Sequence, residues 1–392
     1  MNTTCLPWNN PPTYAPGPRT FPAPLPPPIV PRPPEPPDSP RPPVSTPPSP
    51  NSLMSWVEWL DELVCSGGPE PTDYMRLNDC LRDLARERSV VPHGPAVVEA
   101  ARAVLAPTLL KGTIHGFVHL RPHGHAVDYE LLERILSYHH STDPNLVRWD
   151  SYCHALPVAR ALRSRAMHLR ALLEQLEESA DNEPLRVLHF RSGPGREFAD
   201  YFIARGSQSR LRCDCVDPDP AAVLHGRRNV ARMTDRMTFH QAPLLRYRAA
   251  WNYRLIWASS LCETLDDRAL GLVIRRLLRQ LEPGGKIVLC QLSRPDASAC
   301  LLDVLADSQL HYRDAETLEE IALEAGAYPD AVRVLRDPTH ANLYLHLHRP
   351  FVPLRRRSRR RTVGFAIQSP LRWGTSRPML PFLPSEPLRP AA

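Results

Sequence analysis

The chain has 392 residues, of which 46 are proline, and its 48 Lys and Arg residues outnumber its 42 Asp and Glu residues for a formal net charge of +6. The six arginines of the run RRRSRRR, residues 355–361, account for the whole excess, so the remainder is close to neutral. Because a like-charge block of this kind is usually a solvated arm, specific nucleic-acid binding is not expected. The length predicts one large domain or two modest ones, together with any tails.

The nine cysteines are scattered along the chain. The closest pair, Cys213 and Cys215, lies in a predicted buried strand with no second pair to complete a zinc site, so reduced, structural thiols and no metal site are predicted. No apolar run approaches the roughly 18 residues that span a bilayer, and the N-terminus lacks the charged-then-apolar pattern of a signal peptide. The sequence therefore predicts no membrane span and a cytoplasmic location.

Both ends of the chain are predicted to be disordered. Residues 1–50 hold nearly half of the prolines, in runs such as FPAPLPPPIVPRPPEPPDSPRPP, and have no apolar periodicity. This composition predicts a solvated, polyproline-like arm. Residues 351–392 combine the arginine run with more proline and also lack a periodic apolar pattern, which predicts an arginine- and proline-rich tail.

The pattern of residues 51–180 is mostly helical. Apolar residues recur at intervals of three and four, as amphipathic helices require, in LMSWVEWLDELV, AVVEAARAVLAPTLL, DYELLERILSYHH and PVARALRSRAMHLRALLEQL. This region is predicted to form a helical lid over the open carboxyl edge of a sheet and to line the substrate pocket, because ligands of open α/β sheets bind at that edge.

Residues 181–350 alternate short β-rich runs with helical ones, which predicts a parallel sheet with helices on both faces. The β-rich runs are LRVLHF, LRCDCVD, MTFHQAP, YRLIWASS, KIVLCQL, AVRVLRD and ANLYLHLHR. The last two are separated by only a few turn residues, too few for a crossover helix, so they must pair antiparallel. The predicted fold class is α/β, with a seven-stranded Rossmann-like sheet that ends in an antiparallel hairpin.

The turn RSGPG, residues 191–195, joins the first predicted strand to a helix. Backbone amides at a helix N-terminus attract anions, and glycine lets the backbone approach a ligand closely. Asp217 ends the second strand about twenty residues further on, where a carboxylate can accept both hydroxyls of a ribose. The alternative interpretation is an aspartate in a plain turn before Pro218.

A dinucleotide is not the predicted ligand, because Phe198 stands where the dinucleotide fingerprint has its third glycine. The Pro-Gly-Gly turn at residues 283–285 and the antiparallel finish of the sheet instead resemble class I S-adenosylmethionine-dependent methyltransferases. The resemblance implies S-adenosylmethionine as cofactor, with its methionine part at the first loop, its ribose at the acid after strand two and its adenine beside residues after strand three. The residues that this implies for cofactor binding are Ser192, Gly193, Pro194, Gly195, Asp217, Gln241 and Ser259.

A more specific resemblance covers roughly residues 95–349. It is carried, in chain order, by GHAVD (124–128), WDSYCHALPVARALRSR (149–165), SGPGRE (192–197) and LIWASSL (255–261). This order resembles the bacterial extracellular-factor 3-hydroxypalmitic acid methyl ester synthase family, which implies methyl transfer to a small acidic or acyl substrate, most simply a fatty-acid carboxylate. A carboxylate with a pKa of about 4 to 5 needs no general base, so catalytic residues should position the acceptor and exclude water.

The candidate positioning residues lie in the helical region. They are Tyr129, His154, Arg163 and Arg165, with His123 and Asp128 as further orienting groups. The two arginines are two positions apart and so point to different faces of a helix. The alternative for each of these residues is a structural role, since such side chains on a helix commonly cap, pair or face solvent.

Three residues depart from the family pattern, namely His189 at the end of strand one, Arg191 at the first position of the loop and Val127 in the upstream motif. If the loop requires a positive φ, arginine at that position costs about 1–2 kcal/mol. Its side chain can cover the pocket, point outward or bind a carboxylate. Two other functions therefore stay open: a catalytically degenerate sensor or scaffold, and a macromolecule methyltransferase guided by the basic tail.

Overall fold

The computed structural model describes residues 50–90, 94–110, 112–120, 129–178, 184–230, 235–293, 299–301, 304, 310–338 and 340–350. These residues all belong to one compact unit. The two predicted tails, apart from Pro50, lie outside the described residues, as do the motif GHAVD and the candidate residues His123 and Asp128. The predicted domain boundaries near residues 180 and 350 stay predictions.

A series of helices precedes the sheet: α1 (Pro50–Cys65), α2 (Tyr74–Val90), α3 (Gly94–Leu109), α4 (Ile114–Leu120), α5 (Tyr129–Leu136), α6 (Pro144–Ala155) and α7 (Pro157–Glu178). The first three share an apolar core with Trp149 of α6. The segment WDSYCHALPVARALRSR forms two helices rather than one, because Leu156 is extended and Pro157 begins α7. A residue before proline avoids the helical region, which explains the break.

The sheet has seven strands in the order β3-β2-β1-β4-β5-β7-β6. The strands are β1 (Leu185–Phe190), β2 (Leu211–Asp217), β3 (Met237–Gln241), β4 (Tyr253–Ala258), β5 (Leu281–Leu292), β6 (Val332–Arg336) and β7 (Asn342–His348). Strands β1 to β5 pair in parallel, and β7 pairs antiparallel with both β5 and β6. The predicted α/β fold class, a Rossmann-like methyltransferase sheet with an antiparallel last hairpin, is confirmed.

The Pro-Gly-Gly segment differs in detail from the predicted turn. It lies inside the bounds of β5, and the pairing with β4 shifts register there, since Tyr253 pairs with Leu281 and Leu255 pairs with Lys286. A Cβ on Gly285 would lie 2.8 Å from the Tyr253 carbonyl oxygen. The segment is therefore a bulge at the start of β5, where glycine permits close contact with the neighbouring backbone.

Helices cover both faces of the sheet. On one face, α10 (Asp267–Leu278) and α11 (Ala315–Glu324) pack on the sheet core. On the other face lie α7, α8 (Arg196–Arg205) and α9 (Pro220–Asn229). The end of α7 is fastened there, because the Glu177 carboxylate accepts hydrogen bonds from Tyr201 Oη at 2.7 Å, Ser209 Oγ at 2.7 Å and the Arg210 backbone N–H at 2.8 Å.

Candidate functional site

The candidate site lies where the order of the strands reverses. From β1 the chain adds strands toward β3 on one side, and from β4 it adds them toward β6 on the other, so the loops that follow the neighbouring strands β1 and β4 lead in opposite directions. Open α/β sheets bind their ligands in the crevice outside the carboxyl ends of such a strand pair. The two loops that flank this crevice are residues 191–195, the β1 loop, and residues 259–266, the β4 loop.

The β1 loop is a tight, buried turn. Arg191, Gly193 and Gly195 have positive φ values of 55°, 52° and 72°, and residues 192–195 are all buried. The Ser192 backbone N–H donates to the Val216 carbonyl at 3.1 Å, which ties the loop to β2. Helix α8 begins directly after the loop, so the loop approaches a helix N-terminus as the sequence predicted.

Asp217, at the end of β2, connects β2 to this loop. Its Oδ2 accepts the Gly193 backbone N–H at 2.8 Å, and its Oδ1 accepts the Asp219 backbone N–H at 2.9 Å. The residue is 6% exposed, and burial raises the pKa of its carboxyl although both backbone hydrogen bonds act to lower it. Each carboxylate oxygen retains further acceptor capacity, so Asp217 can also receive hydroxyl donors.

The two loop glycines are needed for different reasons. A Cβ on Gly193 would lie 3.2 Å from Cβ of Tyr129, the first residue of α5. A Cβ on Gly195 would lie 3.0 Å from Met237 Cε and 3.1 Å from Cys215 Sγ. The first glycine therefore lets α5 cover the loop, and the second lets the loop sit directly on the sheet.

His189 has a partner in Glu197 of α8. Its Nε2 lies 3.1 Å from Glu197 Oε2, and the two side chains are 2% and 9% exposed. Burial acts to lower the pKa of His189, but interactions with the Cys215 thiol and the Glu197 carboxylate raise it to about 9. The pairing therefore favours the charged forms of both His189 and the buried Glu197 carboxylate. The departure at His189 is thus compensated inside the fold.

Glu197 also reaches the end of β4. Its Oε2 accepts hydrogen bonds from Trp257 Nε1 and from Ser259 Oγ, both at 3.2 Å. Ser259, a predicted cofactor residue, is thereby placed at the start of the β4 loop with its hydroxyl already directed to a carboxylate. The ion pair of His189 and Glu197 therefore connects the end of β1 with the end of β4, beneath the crevice.

Arg165 fastens the β4 loop to α7. Its Nη2 donates to Glu263 Oε1 at 2.5 Å, its Nε donates to Asn342 Oδ1 at 2.8 Å, and its Nη1 donates to the Ser259 carbonyl. It is 1% exposed. Arg313 acts in the same way, with Nη1 donating to the Cys262 carbonyl at 2.7 Å. The structure thus places the predicted catalytic residue Arg165 beneath the crevice, where it positions the β4 loop.

Arg191 spans the crevice. Its Nη1 donates to Thr264 Oγ1 in the β4 loop. Burial lowers the pKa of its guanidinium, whereas the nearby carboxylates of Asp217 and Glu263 act to raise it. The side chain therefore lies across the opening between the β1 loop and the β4 loop.

The predicted positioning residues His154 and Arg163 form a separate cluster between α6 and α7. Arg163 donates from Nη2 to the His154 carbonyl at 2.7 Å, and its guanidinium lies 4.4 Å from the centre of the Tyr138 ring. The His154 Nε2 lies 2.8 Å from the His139 carbonyl, and burial lowers the pKa of His154 to about 4. As predicted from their spacing, Arg163 and Arg165 face different sides of α7.

The structure brings together Tyr129, Ser192, Gly193, Pro194, Gly195, Asp217 and Ser259 around the crevice or just beneath it. Gln241 pairs with Asp217 in register at the end of β3 and is exposed there. Sequence reasoning missed Glu197, Glu263 and Thr264. Glu197 closes the SGPGRE motif, which was an available signal, whereas the other two follow LIWASSL with no pattern that marks them.

Two further properties concern the described residues only. Within them, no group of three or more His, Cys, Asp or Glu side chains is placed to hold a metal ion. None of the helices in the described ranges is long and apolar enough to cross a membrane.

No protein-family model and no curated protein matches the chain. Several solved structures are similar to it. A possible exported protein from Bordetella parapertussis is 18% identical with a TM-score of 0.47, covering 77% of this chain and 99% of that one. The apo S-adenosylmethionine-dependent methyltransferase SibL is 16% identical with a TM-score of 0.41, covering 71% and 76%. The CMeT domain of the citrinin polyketide synthase is 13% identical with a TM-score of 0.44, covering 78% and 91%.

Proposed function

We propose that the chain is an S-adenosylmethionine-dependent methyltransferase. The observation that carries the proposal is the contact between the Asp217 carboxylate and the Gly193 backbone N–H, 2.8 Å apart. It joins the acid after β2 to the loop after β1, at the strand pair where open α/β sheets bind nucleotides. The strand order and the antiparallel β7 are those of the class I methyltransferases that the sequence resembles.

The residues present fit this cofactor. Asp217 has unused acceptor capacity on a buried carboxylate, which suits the two hydroxyls of a ribose. Gly193 and Gly195 give the β1 loop its positive-φ turn, which leads directly into the N-terminus of α8, where the amino-acid part of the cofactor is expected. Gln241 lies beside Asp217 at the end of β3, where the adenine is expected. When bound, the cofactor supplies an electrophilic methyl group on a sulfonium.

The residues of the chain then have positioning roles. Asp217 and the β1 loop fix the donor, while α5 covers the loop through the close approach of Tyr129 to Gly193. Arg165 and Arg313 hold the β4 loop, where the acceptor would lie. Alignment of acceptor and donor in a dry site can contribute several orders of magnitude in rate without any proton transfer.

The finer proposal is that the acceptor is a fatty-acid-like carboxylate and the product its methyl ester. It is supported by the ordered motifs in the sequence and by the lack of need for a general base with an ionised carboxylate. His154 and Arg163 are proposed as residues of the acyl side of the pocket because they belong to segment 149–165, one of the ordered motifs, in which Arg163 donates to the His154 carbonyl.

The proposal is tested by feeding methyl-labelled methionine to cells that express the full chain and analysing lipid extracts by mass spectrometry. Labelled acyl methyl esters that depend on Asp217 are expected. Tight binding of S-adenosylmethionine with no labelled ester in lipid, protein or RNA fractions would instead favour the degenerate sensor or scaffold. Label in protein or RNA that is lost on removal of residues 351–392 would favour the macromolecule methyltransferase.

A further inference from the structure

Arg191 has a backbone conformation that favours glycine, although the residue has a long side chain. Its φ of 55° lies in the left-handed region, which is unfavourable for a residue with a Cβ. Its guanidinium is also partly removed from water, and this burial lowers its pKa. Such strained residues cluster at ligand sites, where the strain is compensated by a function of the side chain.

Within the described residues, most of the hydrogen-bonding capacity of this guanidinium is unused. A guanidinium presents a rigid fork of N–H donors. Among the residues that the structure describes, the side chain of Arg191 makes one hydrogen bond, from Nη1 to Thr264 Oγ1. The Thr264 hydroxyl accepts this hydrogen bond and donates its own proton to the Leu261 carbonyl at 2.8 Å. Because the hydroxyl is neutral, it is a weaker partner for the guanidinium than a planar anion would be.

The two carboxylates that interact with this guanidinium already have closer partners. Asp217 accepts the backbone N–H groups of Gly193 and Asp219 at 2.8 and 2.9 Å. Glu263 accepts from Arg165 at 2.5 Å and from the Leu292 backbone N–H at 3.0 Å. Neither carboxylate forms an ion pair with Arg191 in the described part of the chain, so the fork remains available at the opening of the crevice.

We propose that Arg191 forms a carboxylate-binding site at the opening of the crevice. Thr264 holds the guanidinium at the edge of the β4 loop, and an incoming carboxylate displaces that hydroxyl and accepts two parallel N–H donors. The inference deepens the proposed function and rests on it for the identity of the ligand. Two carboxylates would reach this point, that of the cofactor's amino-acid part and that of the acceptor, and they share one chemistry.

The test compares four forms of the full chain by calorimetric titration. Arg191→Gln keeps the Cβ and a hydrogen-bonding group but removes the charge and the fork. Thr264→Val keeps the shape of the side chain and removes the hydroxyl. Arg170→Gln is the matched control, because Arg170 lies exposed on α7 and, among the described residues, pairs with Glu174 of its own helix. The wild type completes the set.

The probes separate the two sources of carboxylate. S-adenosylhomocysteine carries the amino-acid carboxylate, and 5′-methylthioadenosine is the matching thioether without it. Hexadecanoate carries the acceptor carboxylate, and methyl hexadecanoate lacks it. The fatty-acid probes are titrated with and without S-adenosylhomocysteine, and melting temperatures verify that every variant is folded.

If Arg191 binds the cofactor, Arg191→Gln weakens the binding of S-adenosylhomocysteine about tenfold or more and leaves the affinity for 5′-methylthioadenosine nearly unchanged. If Arg191 binds the acceptor, Arg191→Gln weakens the binding of hexadecanoate by about the same factor and leaves the affinity for methyl hexadecanoate unchanged. Thr264→Val should tighten whichever carboxylate is bound, by about fivefold, since the competing hydrogen bond is gone. Arg170→Gln should change none of these affinities.

The inference and the proposed function fail in different ways. Unchanged affinity of both carboxylates in Arg191→Gln, or no binding of either carboxylate to the wild type, overturns the carboxylate site. Failure of both adenosine ligands to bind any of the four proteins counts against the proposed cofactor. The hexadecanoate titrations without adenosine ligand then decide the carboxylate site on their own.

Discussion

Arg165 and Glu263 form a buried ion pair that joins α7 to the β4 loop, with 2.5 Å between Nη2 and Oε1 and side-chain exposures of 2% and 6%. Both partners have further hydrogen bonds, from Arg165 Nε to Asn342 Oδ1 and from the Leu292 backbone N–H to Glu263. A buried pair that is satisfied in this way adds little over an apolar replacement, but removal of one partner leaves a buried charge uncompensated.

Loss of Arg165 alone is expected to be strongly destabilising. Arg165→Met should lower the free energy of unfolding by about 3–5 kcal/mol, because the Glu263 carboxylate stays buried without its cation. The double variant Arg165→Met, Glu263→Gln should recover much of this loss. Urea denaturation of the full chain measures both, with Arg170→Met on the exposed face of α7 as control. A single variant as stable as the wild type would show that the pair does not hold the β4 loop.

Asp217 is expected to determine cofactor affinity. Two charge-assisted hydrogen bonds to a ribose are worth roughly 1.5–3 kcal/mol each, so Asp217→Ala should weaken S-adenosylmethionine binding at least about tenfold. Asp217→Asn keeps an acceptor for the Gly193 N–H and should weaken binding less. Asp330→Ala, at an exposed carboxylate, is the control. Equal affinities in wild type and Asp217→Ala by calorimetry would require the cofactor assignment to be withdrawn.

Gly195 is expected to be more sensitive to alanine than a glycine that also has a positive φ but has open surroundings. Gly195 has a φ of 72° and neighbouring atoms 3.0–3.1 Å from the added Cβ, whereas Gly326 has a φ of 101° and nothing within 4 Å. Gly326→Ala should cost about 1–2 kcal/mol from backbone strain alone. Gly195→Ala should cost about 1–3 kcal/mol more because the sheet side chains are crowded. Chemical denaturation of the two variants compares them directly.

His168 is expected to contribute to acid lability. Its ring stacks on Tyr344 with 4.0 Å between centroids, and burial, with a smaller effect of Lys286, lowers its pKa to about 4. This folded-state pKa lies below the usual value, so the unfolded chain binds more protons. The stability that neutral His168 contributes is complete above about pH 6.5 and is lost as the pH falls toward 4, by up to about 3 kcal/mol.

The variant His168→Phe keeps a ring on Tyr344 and removes the titrating group. Its unfolding free energy should therefore fall less steeply than that of the wild type between about pH 6.5 and pH 4. His311→Phe, at an exposed histidine, should keep the wild-type slope. Identical slopes in His168→Phe and wild type would assign the acid lability to other groups.

The parts of the fold that the sequence predicted are those coded by local patterns. Alternating β-rich and helical runs predicted the seven strands, and the short connection before the last run predicted the antiparallel pairing of β6 with β7. The RSGPG turn predicted a loop at a helix N-terminus, and the loop does precede α8. Each of these signals lies within about twenty residues of chain and reflects backbone geometry or burial period.

The partners of individual side chains were not predictable in this way. Arg165 contacts Glu263 and Asn342, both of which are distant in sequence and carry no periodic or motif signal of their own. The same holds for Arg191 and Thr264. A residue type and its place on a helix give a list of candidate partners, but the choice among them is made by tertiary packing. For that reason Arg163 and Arg165, alike in the sequence, have unlike surroundings in the structure.

Helix α7 is anchored at two points, by Arg165 in its first half to the β4 loop and by Glu177 at its end to α8 and to Arg210 just before β2. A helix that is held at two points can neither rotate nor slide over the sheet. Any widening of the crevice for the passage of ligand would therefore come from the elements that precede α7, which the extended Leu156 separates from it. Among these elements, α5 is itself tied to α8 by the ion pair of Glu133 and Arg196, 2.8 Å apart, so opening the crevice on that side would have to break this pair.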